Sequence, residues 1–333
     1  MFDPFGVLNA IPTGDVEVVS KFPLRRYYTN NFRNLFKNLK NYTPSYSSSP
    51  FYIKALPENF NYRCDFRDKF LSIQNFQEDY WKINIIVDYF TEEARMKCRY
   101  GDEISPEEYF HRNLKELVSS LVRKGLPVNG VNLREELYLT GPRECFRMKA
   151  TVMYSLYYYF FPDKVLDPFS GWGGSLLAAM AIPVSEYWGY EVNPDLKKPY
   201  EEIHEKLGRK ETTVKLFWEP FENSSPPTEY FDFCFACPPF FDLEKYQGEQ
   251  QSILLYPKIE DWIEWLLRSF KIIYRSLRKK GVLAVFLYLN HHVIITRLFE
   301  FLSKLMKYEG CIGVRTKFKN QVQNHLPFWI WKK

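Results

Sequence analysis

Two short segments of the chain carry residue types that can perform chemistry. Residues 167–174 (DPFSGWGG) follow an apolar run at 164–166 and precede a helical pattern at 175–181. This order predicts a strand, a glycine turn and a helix, a geometry in which the backbone passes close beneath a bound nucleotide. Residues 237–240 (CPPF) end another apolar run, and their two prolines predict a stiff turn at the carboxyl end of a strand.

The first segment has the features of a nucleotide site. Gly171 and Gly173 permit positive φ angles and carry no side chain where a ligand must approach. Asp167 ends the strand before the turn, and Glu191 ends the next predicted strand, one strand–helix–strand unit later. A carboxylate at the second position can accept hydrogen bonds from both ribose hydroxyls. The alternative is that Asp167 caps a helix and Glu191 is a turn residue.

NAD is the competing ligand for such a turn. The three-glycine spacing of dinucleotide sites is absent, and Asp167, Pro168 and Phe169 precede the glycines. An aspartate beside the turn suits a ligand with a positively charged amino-acid end. S-adenosylmethionine has such an end and NAD does not, so the sequence favours S-adenosylmethionine as the cofactor.

Residues near the ends of the second and third predicted strands are candidates for contact with the adenine ring. Glu219 and Phe221 are the preferred residues, and Phe169 in the turn is added to the predicted cofactor site. Trp188 and residues 217–218 (FW) are alternatives that could sandwich the ring. Core packing explains these aromatics equally well, and Glu219 could be a loop acid without a partner.

The second segment has a specific chemical use. An exocyclic amine on a nucleobase is a poor nucleophile, because its lone pair is delocalised into the ring. Hydrogen bonds from the amine to the side chain of Cys237 and to the carbonyl of Pro238 would draw the nitrogen toward sp³ geometry, while Pro239 stiffens the turn. Phe240 would stack on a base taken out of the helix. Methyl transfer there needs no metal and depends largely on positioning.

Together these segments resemble the DNA adenine-N6 and cytosine-N4 methyltransferases, whose motif is Asp/Asn/Ser-Pro-Pro-Tyr/Phe, and most closely the versions of phages and large DNA viruses. The resemblance covers roughly residues 80–333 and none of residues 1–75. It implies transfer of a methyl group to an exocyclic amine of a DNA base, adenine N6 first and cytosine N4 second. Other shared residues are Asp242, Glu244, Tyr246, Gln251, Ser252 and Tyr256 and, more loosely, residues 88–92 and Arg95.

The chain departs from this pattern at one position. Cys237 stands where the family has Asp, Asn or Ser. A thiol has about the size of a serine hydroxyl but is a weak acceptor. The alternatives are therefore an enzyme that acts through the Pro238 carbonyl with help from Cys237, a slow enzyme, or an inactive subunit that binds nucleic acid for a partner. A base methyltransferase of RNA, at guanine N2 or adenine N6, is a further alternative.

The alternation of strand-like and helical patterns predicts a doubly wound α/β fold with a mostly parallel sheet. Two late runs, at 311–317 and 326–331, are too close for a crossover and predict an antiparallel hairpin added to one edge. Residues 131–333 are therefore expected to form a seven-stranded methyltransferase domain. The other strand-like runs are 164–166, 187–190, 214–217, 231–236 and 282–289.

Residues 1–130 are predicted to be largely helical and to contact the substrate. Apolar residues at helical spacing indicate one helix at about 81–100. A second helix is expected to begin at Ser105 and Pro106, a cap residue followed by proline, and to end at Gly125.

Composition limits the class of protein. The net charge is +5, but residues 251–333 carry 15 Lys and Arg against 5 Asp and Glu, whereas residues 151–250 carry 8 against 16. A basic segment after residue 250 would suit a polyanionic partner, DNA in preference to RNA, although Arg275, Arg278, Lys279 and Lys280 could instead complement a helix dipole. A protein partner or a homodimer is also possible.

Cysteine usage and the amino terminus point to a reducing intracellular compartment, the cytoplasm or nucleus, of a host cell if the protein is viral. Six cysteines are scattered along the chain, residues 1–19 lack the pattern of a secretory signal, and no apolar run reaches 18 residues. Cys234 and Cys237 form a CxxC, but no second pair stands at metal-ligand spacing, so no metal site is expected.

Overall fold

The computed structural model of the chain describes residues 21–27, 31–51, 53, 62–74, 80–287, 292–316 and 324–333. These residues form ten α-helices and eleven strands. The helices are α1 (Phe32–Lys40), α2 (Tyr80–Met96), α3 (Pro106–Arg123), α4 (Gly130–Thr140), α5 (Ala150–Phe160), α6 (Gly174–Ala181), α7 (Lys197–Leu207), α8 (Ser252–Leu255), α9 (Ile259–Ser276) and α10 (His292–Ser303). The strands are β1 (Tyr46–Ser47), β2 (Ser72–Gln74), β3 (Arg99–Tyr100), β4 (Lys164–Asp167), β5 (Glu186–Tyr190), β6 (Thr213–Phe217), β7 (Phe231–Ala236), β8 (Glu244–Lys245), β9 (Leu277–Val285), β10 (Lys307–Thr316) and β11 (Asn324–Lys332). No helix among them combines the length and apolarity needed to cross a bilayer.

Nine strands form one sheet in the order β1-β2-β10-β11-β9-β7-β4-β5-β6. β4, β5, β6, β7 and β9 are mutually parallel, and β11 is antiparallel to both β9 and β10. The mixed α/β sheet with a carboxyl-terminal antiparallel hairpin confirms the prediction. The strand order reverses at β4, which lies between β5 and β7, and a crevice forms at the carboxyl ends of the strands at such a point.

The sheet differs from the prediction in two respects. It has nine strands in the described residues rather than seven, because β1 and β2 add to the seven strands that residues 164–332 contribute to this sheet. The hairpin is therefore not at the edge, since β2 pairs in parallel with β10. Strands of two and three residues are too short to show a period-two pattern, which is why the sequence indicated only helices before residue 130. Residues 1–20, included in that prediction, lie outside the described part.

Both faces of the sheet are covered by helices. Neighbouring residues of β4 belong to different clusters, Val165 to one that includes α2, α5, α6 and α7, and Leu166 to one that includes α9 and α10. Strands buried on both faces read as continuous apolar runs, and this pattern made β4 and β7 predictable. Whether residue 130 is a domain boundary stays a prediction.

Two local expectations have different outcomes. Helix α3 begins as predicted, with the Ser105 hydroxyl accepting a hydrogen bond from the Glu108 N–H at 3.2 Å. The basic residues Arg278, Lys279 and Lys280, in contrast, lie in β9 and not at a helix end, because α9 ends at Ser276. They are exposed near the amino end of β9, the edge opposite the carboxyl ends of the parallel strands.

A buried network of charges joins helix α2 to the segments that follow α3. Asp88 on α2 is fully buried and pairs with Arg95 at 2.7 Å, Arg25 at 2.9 Å and Arg147 at 3.0 Å. The same helix also contacts the glycine turn, because the Thr91 hydroxyl donates to the Trp172 carbonyl at 3.1 Å. The other members of the network are Glu92, Arg134 and Glu144. Of residues 88–92 and Arg95, which the sequence shares with the resembled family, Thr91 thus binds the turn directly, while Asp88, Glu92 and Arg95 belong to the charge network.

Candidate functional site

Two adjoining cavities open at the carboxyl ends of β4, β5 and β7. The first contains about 670 Å³ of empty space, part of it continuous with solvent, and the second about 490 Å³. Of the predicted site residues, Pro238 and Phe240 line only the second, and Asp167 and Gly173 line neither. The first cavity is lined by Phe169, Gly171, Glu191, Glu219, Phe221, Cys237 and Pro239. Both cavities share one wall, formed by Phe169, Gly171, Trp172, Cys237, Pro239 and Tyr246.

The glycine turn connects β4 to α6 as predicted. Gly171 has a φ of 55° and Gly173 a φ of 87°, both in the left-handed region that favours glycine. A side chain at Gly173 would point toward Ile203 and Tyr200 of α7, at 3.5 and 3.6 Å, and not into the cavity. The absence of a side chain at Gly171 therefore leaves open space at the first cavity. Gly173 is required instead by its positive φ angle, which lets the backbone turn into α6.

Glu191 follows β5 and closes the glycine turn through its carboxylate. One oxygen, Oε2, accepts a hydrogen bond from the Gly171 N–H at 2.7 Å. The other, Oε1, accepts from the N–H groups of Val192 at 2.9 Å and Asn193 at 2.8 Å. A carboxylate offers about four acceptor positions, so roughly one is left for a ligand. The predicted contact to both ribose hydroxyls requires that one backbone N–H be released.

Asp167 lies beneath the turn and is fully buried. Its Oδ2 accepts a hydrogen bond from the Tyr187 hydroxyl at 2.7 Å, while its Oδ1 has no partner among the described residues. Burial raises the pKa of this carboxyl to about 6, although its hydrogen bonds act in the opposite direction. The Asp167 side chain thus binds Tyr187 of the neighbouring strand β5 and does not line either cavity.

Aromatic rings enclose the far end of the first cavity. Phe221 is buried and makes an edge contact with the Tyr190 ring at 5.0 Å, and the Phe169 ring lies 5.9 Å from that of Trp265. Glu219 stands beside them and is exposed. This part of the lining offers aromatic surface together with the carboxylates of Glu219 and Glu222.

The alternative aromatics for an adenine sandwich lie elsewhere. Trp188 packs among Phe217, Tyr230 and Phe231, and its indole N–H donates to Glu186 at 2.6 Å. Trp218 packs against Tyr200 of α7. These residues serve the packing of the sheet and its helices, and none lines either cavity.

The 237–240 loop follows β7 and separates the two cavities. Cys237 faces both of them, and Phe240 faces the second while 92% buried. The Phe240 ring packs against the rings of Phe146 at 6.1 Å and Phe286 at 6.2 Å, which are stacked on each other at 5.4 Å. Burial raises the pKa of the Cys237 thiol well above its usual value, with a further contribution from the charge of Glu244. The thiol is therefore protonated at neutral pH and does not act as a thiolate nucleophile.

Cys234 does not cooperate with Cys237. It is fully buried in the cluster that includes α9 and α10, whereas Cys237 packs against the opposite cluster. In the described ranges of the chain, no three His, Cys, Asp or Glu side chains are grouped so that they could hold a metal ion.

Trp172, Tyr246, Glu244 and Phe146 are among the cavity residues to which the sequence gave no role. Trp172 and Tyr246 form part of the shared wall and contact each other edge to face at 5.7 Å. Glu244 and Phe146 line the second cavity, and the Phe146 N–H donates to the Glu244 carboxylate. Trp172, Glu244 and Tyr246 belong to the residues shared with the resembled family, and this resemblance was the signal that could have indicated these three.

Comparisons with known proteins give distant structural similarity only. No protein-family model and no curated protein matches the chain. The tRNA (m1A58) methyltransferase TrmI of Aquifex aeolicus shares 13% identity at a TM-score of 0.42, over 57% of this chain and 70% of that chain. A putative RNA methyltransferase of Pyrococcus horikoshii shares 16% at 0.38, over 56% and 86%. A putative methyltransferase of Streptococcus mutans, in complex with SAH, shares 15% at 0.35, over 51% and 89%.

Similarities of this size assign neither a family nor a substrate. The function proposed below depends on the two cavities and their shared wall in this chain.

The buried carboxyls of the site predict a dependence of stability on pH. Burial raises the pKa of Asp167 to about 6 and those of Glu191 and Glu244 to about 7, from ordinary values of 3.8 and 4.5. Between pH 5 and 8 the folded chain therefore holds protons that the unfolded chain has released, so its free energy of unfolding falls as the pH rises. Burial lowers the pKa of His325, so this one side chain makes the free energy of unfolding rise with pH, against the effect of the three carboxyls.

Urea denaturation of the unliganded chain at intervals between pH 5 and pH 8 measures this slope. Glu191→Gln and Glu244→Gln should each make it shallower, because each removes one titrating carboxyl. A free energy of unfolding that rises across this interval would contradict the assignment of raised pKa values.

Proposed function

We propose that this chain transfers a methyl group from S-adenosylmethionine to an exocyclic amino group of a nucleic-acid base, with adenine N6 of DNA the first candidate and cytosine N4 the second. The observation that carries the proposal is the wall shared by the two cavities. A direct transfer needs the methyl group of the cofactor and the amine of the base to lie a few ångströms apart, in two cavities that adjoin each other. The 237–240 loop and the glycine turn meet at the boundary of two such cavities.

The first cavity fits S-adenosylmethionine by the chemistry of its lining. Gly171 leaves room for the ligand beside the turn, the spare acceptor position of Glu191 suits a ribose hydroxyl, and the aromatic surface beside Phe221 suits a purine ring. When bound, the cofactor supplies a methyl group on a positively charged sulfur. The acidic residues Glu191 and Glu219 at the cavity complement this charge.

The second cavity suits a flat base. Phe240, Phe146 and Phe235 line it, and base–aromatic stacking contributes about 1–3 kcal/mol per base. Cys237 lines both cavities and Pro238 lines the second, so the thiol and the Pro238 carbonyl are available to an amine presented beside the shared wall. The packing of Phe240 against the stacked rings of Phe146 and Phe286 holds it in a fixed orientation, which favours stacking with one plane of the base.

A labelling assay tests the proposal. The purified chain is incubated with tritiated S-adenosylmethionine and separate pools of DNA and RNA, and the products are digested to nucleosides and separated. Label in N6-methyladenine from DNA supports the proposal, and label in RNA alone moves the substrate to the RNA alternative. Cofactor binding without label in either pool would identify a non-catalytic subunit, and absence of cofactor binding would overturn the proposal.

Cys237→Ser is expected to preserve or raise the rate of methyl transfer. A hydroxyl of similar shape accepts a hydrogen bond from the target amine better than a thiol does. Steady-state rates for the two proteins, together with cofactor affinity by calorimetry, measure the effect. Cys64→Ser is the matched control, because Cys64 is a partly buried free cysteine remote from both cavities. A large loss of rate in Cys237→Ser with intact cofactor binding would show that sulfur itself is required.

A further inference from the structure

We propose that Glu244 is the group that accepts the hydrogen bond and then the proton of the target amine, and so compensates for the weak acceptor at Cys237. This inference rests on the proposed function and adds a catalytic residue to its second cavity. Among the residues that line this cavity, Glu244 carries the one carboxylate. Asp167 lines neither cavity and Glu191 faces only the first, so neither reaches a base held against Phe240.

Fixed contacts hold the Glu244 carboxylate at the cavity wall. Glu244 begins β8, which pairs with β3 in a separate two-stranded sheet, and the residue is 96% buried. Its Oε1 accepts a hydrogen bond from the Phe146 N–H, and its Oε2 accepts from the Tyr246 hydroxyl at 2.7 Å. Each oxygen keeps one further acceptor position, so the group can receive an amine without giving up its supports.

The electrostatics of Glu244 suit a proton acceptor at neutral pH. Burial raises its pKa to about 7, against the opposing effect of its two hydrogen bonds and of the charge on Arg95. The other titratable groups that its charge reaches are the thiols of Cys145 and Cys237 and the Tyr246 hydroxyl, whose pKa values it raises. A base acts best when its pKa lies near the working pH, and Glu244 meets this condition while Cys237 stays protonated.

The step is a direct displacement. The lone pair of the amine nitrogen forms a bond to the methyl carbon, while the bond from that carbon to sulfur breaks and its electron pair stays on sulfur. The nitrogen then carries a positive charge and one surplus proton. A Glu244 oxygen takes that proton and later returns it to solvent, so the products are a neutral methylated base and a neutral thioether.

Glu244→Gln tests the inference, because the amide keeps the size of the side chain and loses the basic oxygen. We expect kcat to fall by about 10²-fold or more, within the usual range for loss of a general base. Glu186→Gln is the matched control and should change kcat less than twofold. Glu186 is also a buried carboxylate that accepts from a tyrosine hydroxyl, that of Tyr230, but it begins β5 at the end of the sheet remote from the cavities.

Rescue and pH dependence separate a chemical role from a structural one. In the wild type, kcat should rise about tenfold per pH unit below pH 7, because the carboxylate must be ionised, and Glu244→Gln should lose this slope. The double variant Cys237→Asp/Glu244→Gln should recover at least tenfold over Glu244→Gln, since it places a carboxylate on the other side of the amine. Tyr246→Phe keeps the carboxylate but removes a donor to it, and should shift the pH profile to higher pH.

A binding measurement gives a readout that does not depend on turnover. With S-adenosylhomocysteine present, the wild type should bind an oligonucleotide with adenine at the target position more tightly than one with purine, which lacks the amine. Glu244→Gln should reduce this preference, because a neutral amide oxygen is a weaker acceptor than a carboxylate and the Pro238 carbonyl remains. Wild-type kcat and an unchanged preference in Glu244→Gln would overturn the inference. A wild type that methylates no nucleic acid would overturn the proposed function instead, and the preference for adenine over purine would still decide the role of Glu244.

Discussion

Replacing Glu191 with glutamine is expected to weaken binding of S-adenosylmethionine by roughly ten- to a hundredfold, which corresponds to the loss of one charge-assisted hydrogen bond of about 1.5–3 kcal/mol. The Glu191 carboxylate accepts from three backbone N–H groups, those of Gly171, Val192 and Asn193. An amide has one oxygen, so in either orientation its NH₂ group faces at least one N–H donor. At least one backbone hydrogen bond to the side chain of residue 191 is then lost. The cofactor site also loses a negative charge and a hydrogen-bond acceptor.

Isothermal titration calorimetry of the folded variant measures this loss. Asp195→Asn is the control. It also removes one carboxylate from the segment after β5, but residue 195 does not line the first cavity. The control should bind S-adenosylmethionine as the wild type does. If Glu191→Gln binds S-adenosylmethionine normally and its free energy of unfolding is unchanged, the assignment of the cofactor to the first cavity is wrong. The proposed function then loses its main support.

The parts of the site that the sequence predicted are those set by local pattern. Residues 167–174 lie between a doubly buried strand and a helix, and residues 237–240 follow another such strand, so each turn could be placed from its flanking apolar runs. Parallel strands bring their carboxyl ends to one edge, which is why the two turns could be expected to meet.

The parts that the sequence did not predict depend on contacts between distant segments. Phe146 lies in an irregular stretch and Glu244 in a strand of two residues, yet they join across 98 positions to form one wall of the second cavity. β2 likewise gains its identity as a strand by pairing with β1 and β10. Such elements have too few residues for a periodic signal, and tertiary pairing determines them.

The structure also changes the role inferred for one set of basic residues and adds detail to the role predicted for Phe240. Arg278, Lys279 and Lys280 were candidates for contact with a polyanion, but β9 carries them to the edge opposite the cavities. Phe240 was expected to stack on a base, and the structure adds that Phe146 and Phe286 fix its ring. In both cases the residue type was informative, while its surroundings followed from the register of β9 or from packing with distant segments.

Replacing Asp88 with asparagine is expected to lower the free energy of unfolding by about 3–5 kcal/mol, the usual cost of breaking a buried ion pair by removing one partner. Asp88 is fully buried and pairs with Arg25, Arg95 and Arg147. These guanidinium groups hold the pKa of the Asp88 carboxyl below its usual value despite its burial. Asparagine has nearly the same shape, so the loss measures charge: four arginines would remain against two carboxylates, those of Glu92 and Glu144.

Urea denaturation of Asp88→Asn and of Glu93→Gln at pH 7 provides the comparison. Glu93 lies on the same helix and pairs with Arg26 at 2.8 Å, but both side chains are exposed, so its loss should cost at most about 1 kcal/mol. Because the pKa of Asp88 is lowered on folding, its contribution is present above pH 4 and is lost as the pH falls below its unfolded value of 3.8. The difference between wild type and Asp88→Asn should therefore shrink in acid. Equal, small losses for the two variants at pH 7 would mean that the arginines around Asp88 do not need its charge, and that α2 supports the glycine turn through apolar packing and the Thr91 hydrogen bond alone.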